Sequence, residues 1–180
     1  MTDTGGTRHV ALGVLIAATV ALLAVQFGLN QPLLTPYAPQ GMISFQLAAT
    51  AESSQIILDS WRTVGHGWVV ASLLTGLLLV VVYTTMLVRL TDYLMRDRPG
   101  VREQKEGRWV KRLFIGAGLA STVENLALMN NLNPPTDSMS LTATMMTLAS
   151  YTGLLLGAAG LFLIRASRRH PLVPRGTSEP

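Results

Sequence analysis

Charge is absent from three long stretches of the chain. No Asp, Glu, Lys or Arg falls between Arg8 and Glu52, between Arg62 and Arg89, or between Asp137 and Arg165. Each stretch is long enough for the roughly 20 apolar residues that cross a bilayer core. A further apolar run begins at Trp109 and ends at "NNLNPP". The pattern predicts four membrane spans, over about residues 9–29, 68–89, 109–130 and 141–164. Trp68 and Trp109 fall at span ends, where interfacial aromatics are expected. The expected fold class is all-α: a four-helix transmembrane bundle forming one domain over residues 1–170. The first span is read as retained and not as a signal peptide, because the apolar run is long and no A-x-A cleavage site follows it.

The loop between the first two spans, residues 30–66, has structure of its own. "LTPYAPQG" is rich in turn formers. "MISFQLA" alternates, with Ile43, Phe45 and Leu47 against Ser44, Gln46 and Ala48, which is strand period. Thr50 then reads as a helix N-cap, with Glu52 in the first turn where a carboxylate suits the helix dipole. Leu47, Ala51, Ser54, Ile57, Leu58 and Trp61 share one face of the helix that follows, and Glu52, Gln55 and Asp59 share the other. This short helix is expected on the outer face, apolar side down on the bundle mouth or the lipid.

Basic residues set the expected direction. Eight lie in the second loop, Arg89–Arg112, and four in the C-terminal tail, against Arg62 alone in the first loop. The positive-inside rule places both termini and the second loop in the cytoplasm, in a multi-pass protein of the bacterial inner membrane. The pI near 10.0 is thereby assigned to topology and anionic lipid, and not to nucleic acid.

Composition agrees with this class: 49% of the 180 residues are hydrophobic and 13% charged, about half the charge of a soluble domain. No cysteine is present, which removes disulfides, thiolate metal sites and CxxC redox chemistry. No cofactor is expected. His66 stands alone at its depth, while His9 and His170 belong to the opposite side, so neither a metal site nor paired haem ligands can form. The tail 171–180 is expected to be flexible. Its "LVPRG" is close to a protease-tag site, and it is set aside from functional argument.

The one acid within a span is Glu124, in "GLASTVENLALMNN". Ala117, Ala120, Ser121, Glu124, Ala127, Leu128 and Asn131 share a small, polar helix face, and Ile115, Leu119, Thr122, Leu126 and Met129 share a bulkier one. The first face is expected to point into the bundle. The fourth span offers Gly153 and Gly157, with Ala149 and Gly160, as a strip for close approach. Glu124 lies seven residues before Asn131, about 10 Å below the outer end. A charge at the bilayer centre costs about 2.5–3.5 kcal/mol on insertion scales, so a carboxyl there needs a partner, water or a proton. Candidate neighbours are Gln26, Asn30, His66, Asn125, Thr144, Thr147 and Tyr151.

The segments "PQGMISFQLAATAESSQIILDSW" and "GLASTVENLAL" resemble an uncharacterised family of small four-span bacterial membrane proteins. Its pattern has Phe-Glu-Leu-Ala in the loop, Ile-Leu-x-x-Trp at the loop-helix end and Asp-x-x-Glu-Asn in the third span. Gln46 and Ser121 stand here where that pattern has acids, while Glu124 and Asn125 are kept. The resemblance implies that any activity resting on those acids is altered or lost in this chain.

The expected function is non-enzymatic. An outward-facing pocket holding Glu124, Asn125, His66, Gln46, Tyr151 and Thr147 would bind a lipid or small amphiphile, or the protein would serve as an accessory subunit of a membrane complex. Its partners would be membrane lipids, with a protein partner or a second copy meeting Gly153 and Gly157 or the basic loop Arg89–Arg112. The alternative is a membrane-embedded enzyme or proton-coupled transporter using Glu124.

Overall fold

A computed structural model describes residues 4–96 and 101–166. Arg98, Arg168, Arg169, Arg175, His170 and the tail expectations lie outside the described residues. Four long helices dominate: α1 (Thr4–Asn30), α4 (His66–Met95), α5 (Val101–Asn130) and α6 (Asp137–Ala166). Between α1 and α4 come a 3-10 turn (Gln31–Leu33) and two short helices, α2 (Met42–Gln46) and α3 (Ala51–Ser60). No strand occurs among the described residues.

Three of the long helices are apolar and long enough to cross a membrane: Val10–Leu33, His66–Met95 and Asp137–Ala166. α5 has the same 30-residue length as α4 and α6. It falls short on hydropathy because Glu124, Asn125 and the basic residues of its first half dilute it. Large apolar side chains such as Phe27, Leu119, Leu155 and Phe162 face outward, a surface suited to lipid and not to water.

The long helices pack side by side in chain order. α1 lies along α4, α4 along α5, and α5 along α6, which is the most extensive pairing. Each neighbouring pair is antiparallel. Gln26 and Trp68 bond across α1 and α4, at Ser72 and at the Leu29 carbonyl. In α6, Gly153, Gly157 and Gly160 meet Ala117, Phe114 and Val110 of α5 in reverse order. The glycine strip is therefore filled from within the chain: a Cβ at Gly157 would overlap the Phe114 ring. Ala149, read as part of that strip, is exposed.

The sequence periodicity of the 42–48 segment misleads. Alternation suggests a strand with Ile43, Phe45 and Leu47 on one side. The segment instead forms the helical turn α2, burying Met42 and Phe45 and exposing Ile43 and Leu47. Two local features explain this. Gly41 turns the chain at φ 60, which suits a residue without a Cβ. Asn30 Oδ1 then accepts the Met42 N–H at 2.8 Å and holds the first turn in place. α3 is capped by Thr50, whose hydroxyl accepts from Ser53 N at 3.2 Å. It buries Ser54, Ile57 and Trp61, so Leu47 is the one exposed member of its expected apolar face.

This loop is stitched to α6. Asp137 accepts from Ala51 N at 2.7 Å, and Thr144 accepts from Ala49 N and donates to Gln46 O. Ser54, Ser140 and Asn131 form a buried triangle of hydrogen bonds where α3 meets the α5–α6 corner. Trp61 fills the space beneath, its indole N–H donating to Leu33 O at 2.7 Å and its ring edge against Phe45. The core thus has two parts. One sits at the loop end around Leu33, Phe45, Trp61, Leu73 and Leu128. The other sits at the basic end around Leu94, Val110, Phe114 and Ile164.

Candidate functional site

Between the two cores lies a cavity of about 420 Å³. α4 and α5 form its back, α1 and α6 its sides, and α2 its roof. The apolar lining comes from Leu23, Phe27, Met42, Ile43, Leu73, Leu79, Val80 and Leu154. The polar lining comes from Gln26, Asn30, Gln46, Ser72, Tyr83, Ser121, Glu124, Asn125 and Tyr151. A small polar patch in an apolar hollow of this size is the usual form of a small-molecule site.

Glu124 is only 3% exposed, with the Thr147 side chain beside its carboxyl. The Thr147 hydroxyl donates its one hydrogen to its own helix, at Ala143 O, 2.9 Å away. Of the small face expected on α5, Ala117, Ser121, Glu124, Ala127, Leu128 and Asn131 are interior and Ala120 is half-buried; Asn125 is interior beside them, while Leu119 and Leu126 face out. Asn125 donates to Ser121 O at 2.8 Å and lies against α4 at Gly76. A Cβ at Gly76 would come 3.0 Å from its Oδ1, so glycine there gives the amide its place. Ser121 turns its hydroxyl to Ser150 at 2.7 Å. It ties α5 to α6.

Not every polar group is satisfied within the protein. Gln26 donates to Ser72 Oγ at 3.1 Å, and its carbonyl oxygen Oε1 is buried with no hydrogen-bond partner. The Tyr83 hydroxyl, also buried, has none either. Both residues line the cavity. Buried polar atoms are nearly always paired, and an orphan costs about 1–3 kcal/mol. A third such oxygen among the described residues, the Thr84 hydroxyl, lies outside the lining, and all three are closed to solvent. None of the lining residues is Lys, Arg or His.

Of the residues expected at the site, Glu124, Asn125, Gln46 and Tyr151 come together in this cavity, and Thr147 stands behind Glu124. Tyr151 reaches Gln46 Oε1 at 3.5 Å, a long contact joining α6 to the roof. His66 does not join them. It opens α4 at the surface, in a separate hollow of about 350 Å³ with Gln55, Asp59, Arg62 and Asn133. It stands near the loop end, as expected, but on another side of α4. Three lining residues of α4, Ser72, Gly76 and Tyr83, have no place in the sequence reading. Their spacing of four and seven residues puts them on one helix face, which was the available signal. Among the described residues, no three of His, Asp and Glu gather in a way that could hold a metal ion. Comparison of the chain with family models, with curated proteins and with solved structures finds no match, so any function has to be argued from this cavity.

Proposed function

We propose that this chain is a four-span, non-enzymatic membrane protein that binds a lipid or small amphiphile in the Glu124 cavity. In this reading α5 is the fourth crossing, its outward face supplied by Ile115, Leu119, Val123 and Leu126. The basic end faces the cytoplasm of a bacterial cell, and α2, α3 and the cavity roof lie on the outer side. The orientation rests on the crowding of basic residues between Arg89 and Arg112. Since the chain has no cysteine, single replacements report the side directly. Gln55→Cys and Ser138→Cys should label from outside with an impermeant maleimide, and Lys105→Cys only after lysis. Labelling of all three from one side would remove the topology.

The observation that carries the binding reading is the mixed lining of this hollow, in which Gln26, Tyr83, Glu124 and Asn125 stand among Leu23, Phe27, Leu79, Val80 and Leu154. Such a hollow suits a molecule with a polar end and an apolar body. The cavity floor supports binding over transport. Leu154 belongs both to the lining and to the apolar packing around Phe114, which closes the path toward the basic end.

Native mass spectrometry of gently extracted wild-type protein beside Glu124→Gln tests this reading. A bound small species present in wild type and diminished in the variant is the expected result. A fixed protein partner retained by both, with no small species in either, would assign the protein to the accessory-subunit role. Proton-dependent flux abolished in Glu124→Gln would assign it to transport.

A further inference from the structure

Resting on the binding reading above, we infer that the cavity selects a single-chain amphiphile whose head group donates hydrogen bonds through hydroxyl or amine groups and carries no phosphate, admitted sideways between α1 and α6. Three observations lead here.

The first is the character of the polar wall. Gln26 Oε1 can only accept, and the Glu124 carboxyl keeps an accepting oxygen whether or not it carries a proton. Tyr83 OH can do either. The amide of Asn125 already donates to the backbone, and that of Gln26 to Ser72. Glu124 brings a carboxyl to a lining without a cation, and Gln26 Oε1 lacks a donor, so a head group that donates suits this wall. A phosphate brings the opposite: oxygens that only accept, and negative charge. Sites for phosphate use Arg, Lys or clustered backbone N–H groups. The cavity lining has no Lys, Arg or His, and it does have a carboxyl. Burying an anion beside Glu124 without a counter-charge would be strongly unfavourable.

The second is size. At about 30 Å³ per water-sized group, a hollow of about 420 Å³ holds roughly a dozen such groups. That suits a small head and the first part of one chain. Two acyl chains would not fit.

The third is the opening. α1 packs along α4 and α6 along α5, while α1 and α6 barely meet. Between them the roof helix α2 closes only the loop end. Leu23 and Phe27 on α1 and Tyr151 on α6 line the cavity and are also exposed on the outer surface of the bundle. The mouth therefore opens to the side, in the apolar zone, where the rest of the chain can lie among lipid tails. Ser72, Glu124 and Asn125 sit deeper, on α4 and α5.

The test uses the full chain purified in detergent and equilibrated with three probes sharing one oleoyl-length tail: monooleoylglycerol, oleylamine and oleoyl lysophosphatidic acid. Occupancy is read by native mass spectrometry in wild type, in Leu23→Trp, which narrows the exposed rim, and in Tyr83→Phe, which removes one orphaned hydroxyl. Wild type should hold the glycerol or the amine probe about ten-fold more tightly than the phosphate probe, a difference of about 1.4 kcal/mol. Leu23→Trp should weaken it, and Tyr83→Phe should weaken it by a smaller factor. Which of the two probes wins identifies hydroxyl or amine. Equal or better binding of lysophosphatidic acid, still weakened by Leu23→Trp, would overturn the head-group assignment and leave the binding reading standing. Binding unaffected by Leu23→Trp would overturn the lateral mouth. Binding of none of the three, by a variant set that remains folded, would overturn both this inference and the binding reading.

Discussion

Asn131→Ala should loosen the loop from the bundle. Asn131 is wholly buried one residue past the end of α5. Its amide donates to Ser140 Oγ at 2.8 Å and, more weakly, to Ser54 Oγ at 3.4 Å, while its carbonyl accepts from Thr136 N at 2.8 Å. Alanine removes all three. Ser54 and Ser140 remain satisfied by each other at 2.8 Å, so the main orphan is the Thr136 N–H. The Thr136 N–H is part-buried, so losing its acceptor costs toward the low end of about 1–3 kcal/mol, and the lost side chain leaves a void as well. The expected loss is about 2–3 kcal/mol, or roughly 4–12 °C in midpoint for a chain of this length. Ser54→Ala is the control. It leaves Asn131 bonded to Ser140 and should cost no more than about 1 kcal/mol. Thermal unfolding in detergent gives the first number. Trypsin cleavage at exposed Arg62 should rise in Asn131→Ala, because α3 is held to α5 and α6 through this triangle. An Asn131→Ala midpoint equal to that of Ser54→Ala, with unchanged cleavage, would refute the assignment of Asn131 as the tie.

Glycine-to-alanine changes in the long helices should differ in sign. Alanine gains about 1 kcal/mol of helix propensity over glycine, and that gain should appear at Gly13, where a Cβ meets nothing. At Gly157 the Cβ would overlap Phe114, and overpacking costs about 1–3 kcal/mol, so Gly157→Ala should be destabilising; Gly153→Ala, at 3.1 Å from Ala117 Cβ, should fall between. Midpoints in one detergent rank the three. Trp61→Phe should cost about 2–4 kcal/mol, since it leaves Leu33 O without its donor and opens space in the loop-end core. Thr50→Ala should cost about 1 kcal/mol, felt as fraying of α3 by hydrogen exchange and not as loss of the bundle.

Features that depend on local pattern were legible in the sequence. The small face of α5 follows from residues three and four apart, and the same rule gives Ser54, Ile57 and Trp61 on the buried side of α3. Thr50 could be read as a cap because capping involves only the next few residues. Azimuth between helices was not legible. His66 lies near the same end as the cavity but on another side of α4, and linear spacing cannot report which neighbour a helix face meets. Ser72, Gly76 and Tyr83 are hard to read for a related reason: each looks ordinary in an apolar run until α1 and α5 bring Gln26 and Asn125 opposite. The 42–46 segment failed differently. Its alternation was real, but the Gly41 turn and the Asn30 side chain, distant in the loop, decided its backbone.

α5 wears its polarity on the inside. Ser121, Glu124, Asn125 and Asn131 are buried against other helices, while Ile115, Leu119 and Leu126 face outward. On the four-span reading this has a consequence for biosynthesis. A lone α5 segment leaving the translocation channel would present its carboxyl and amides to acyl chains, and would gain little from partitioning alone. Its two neighbours, α4 and α6, are each apolar enough to enter without help. The third crossing is therefore committed late, when the arrival of α6 covers what α4 cannot.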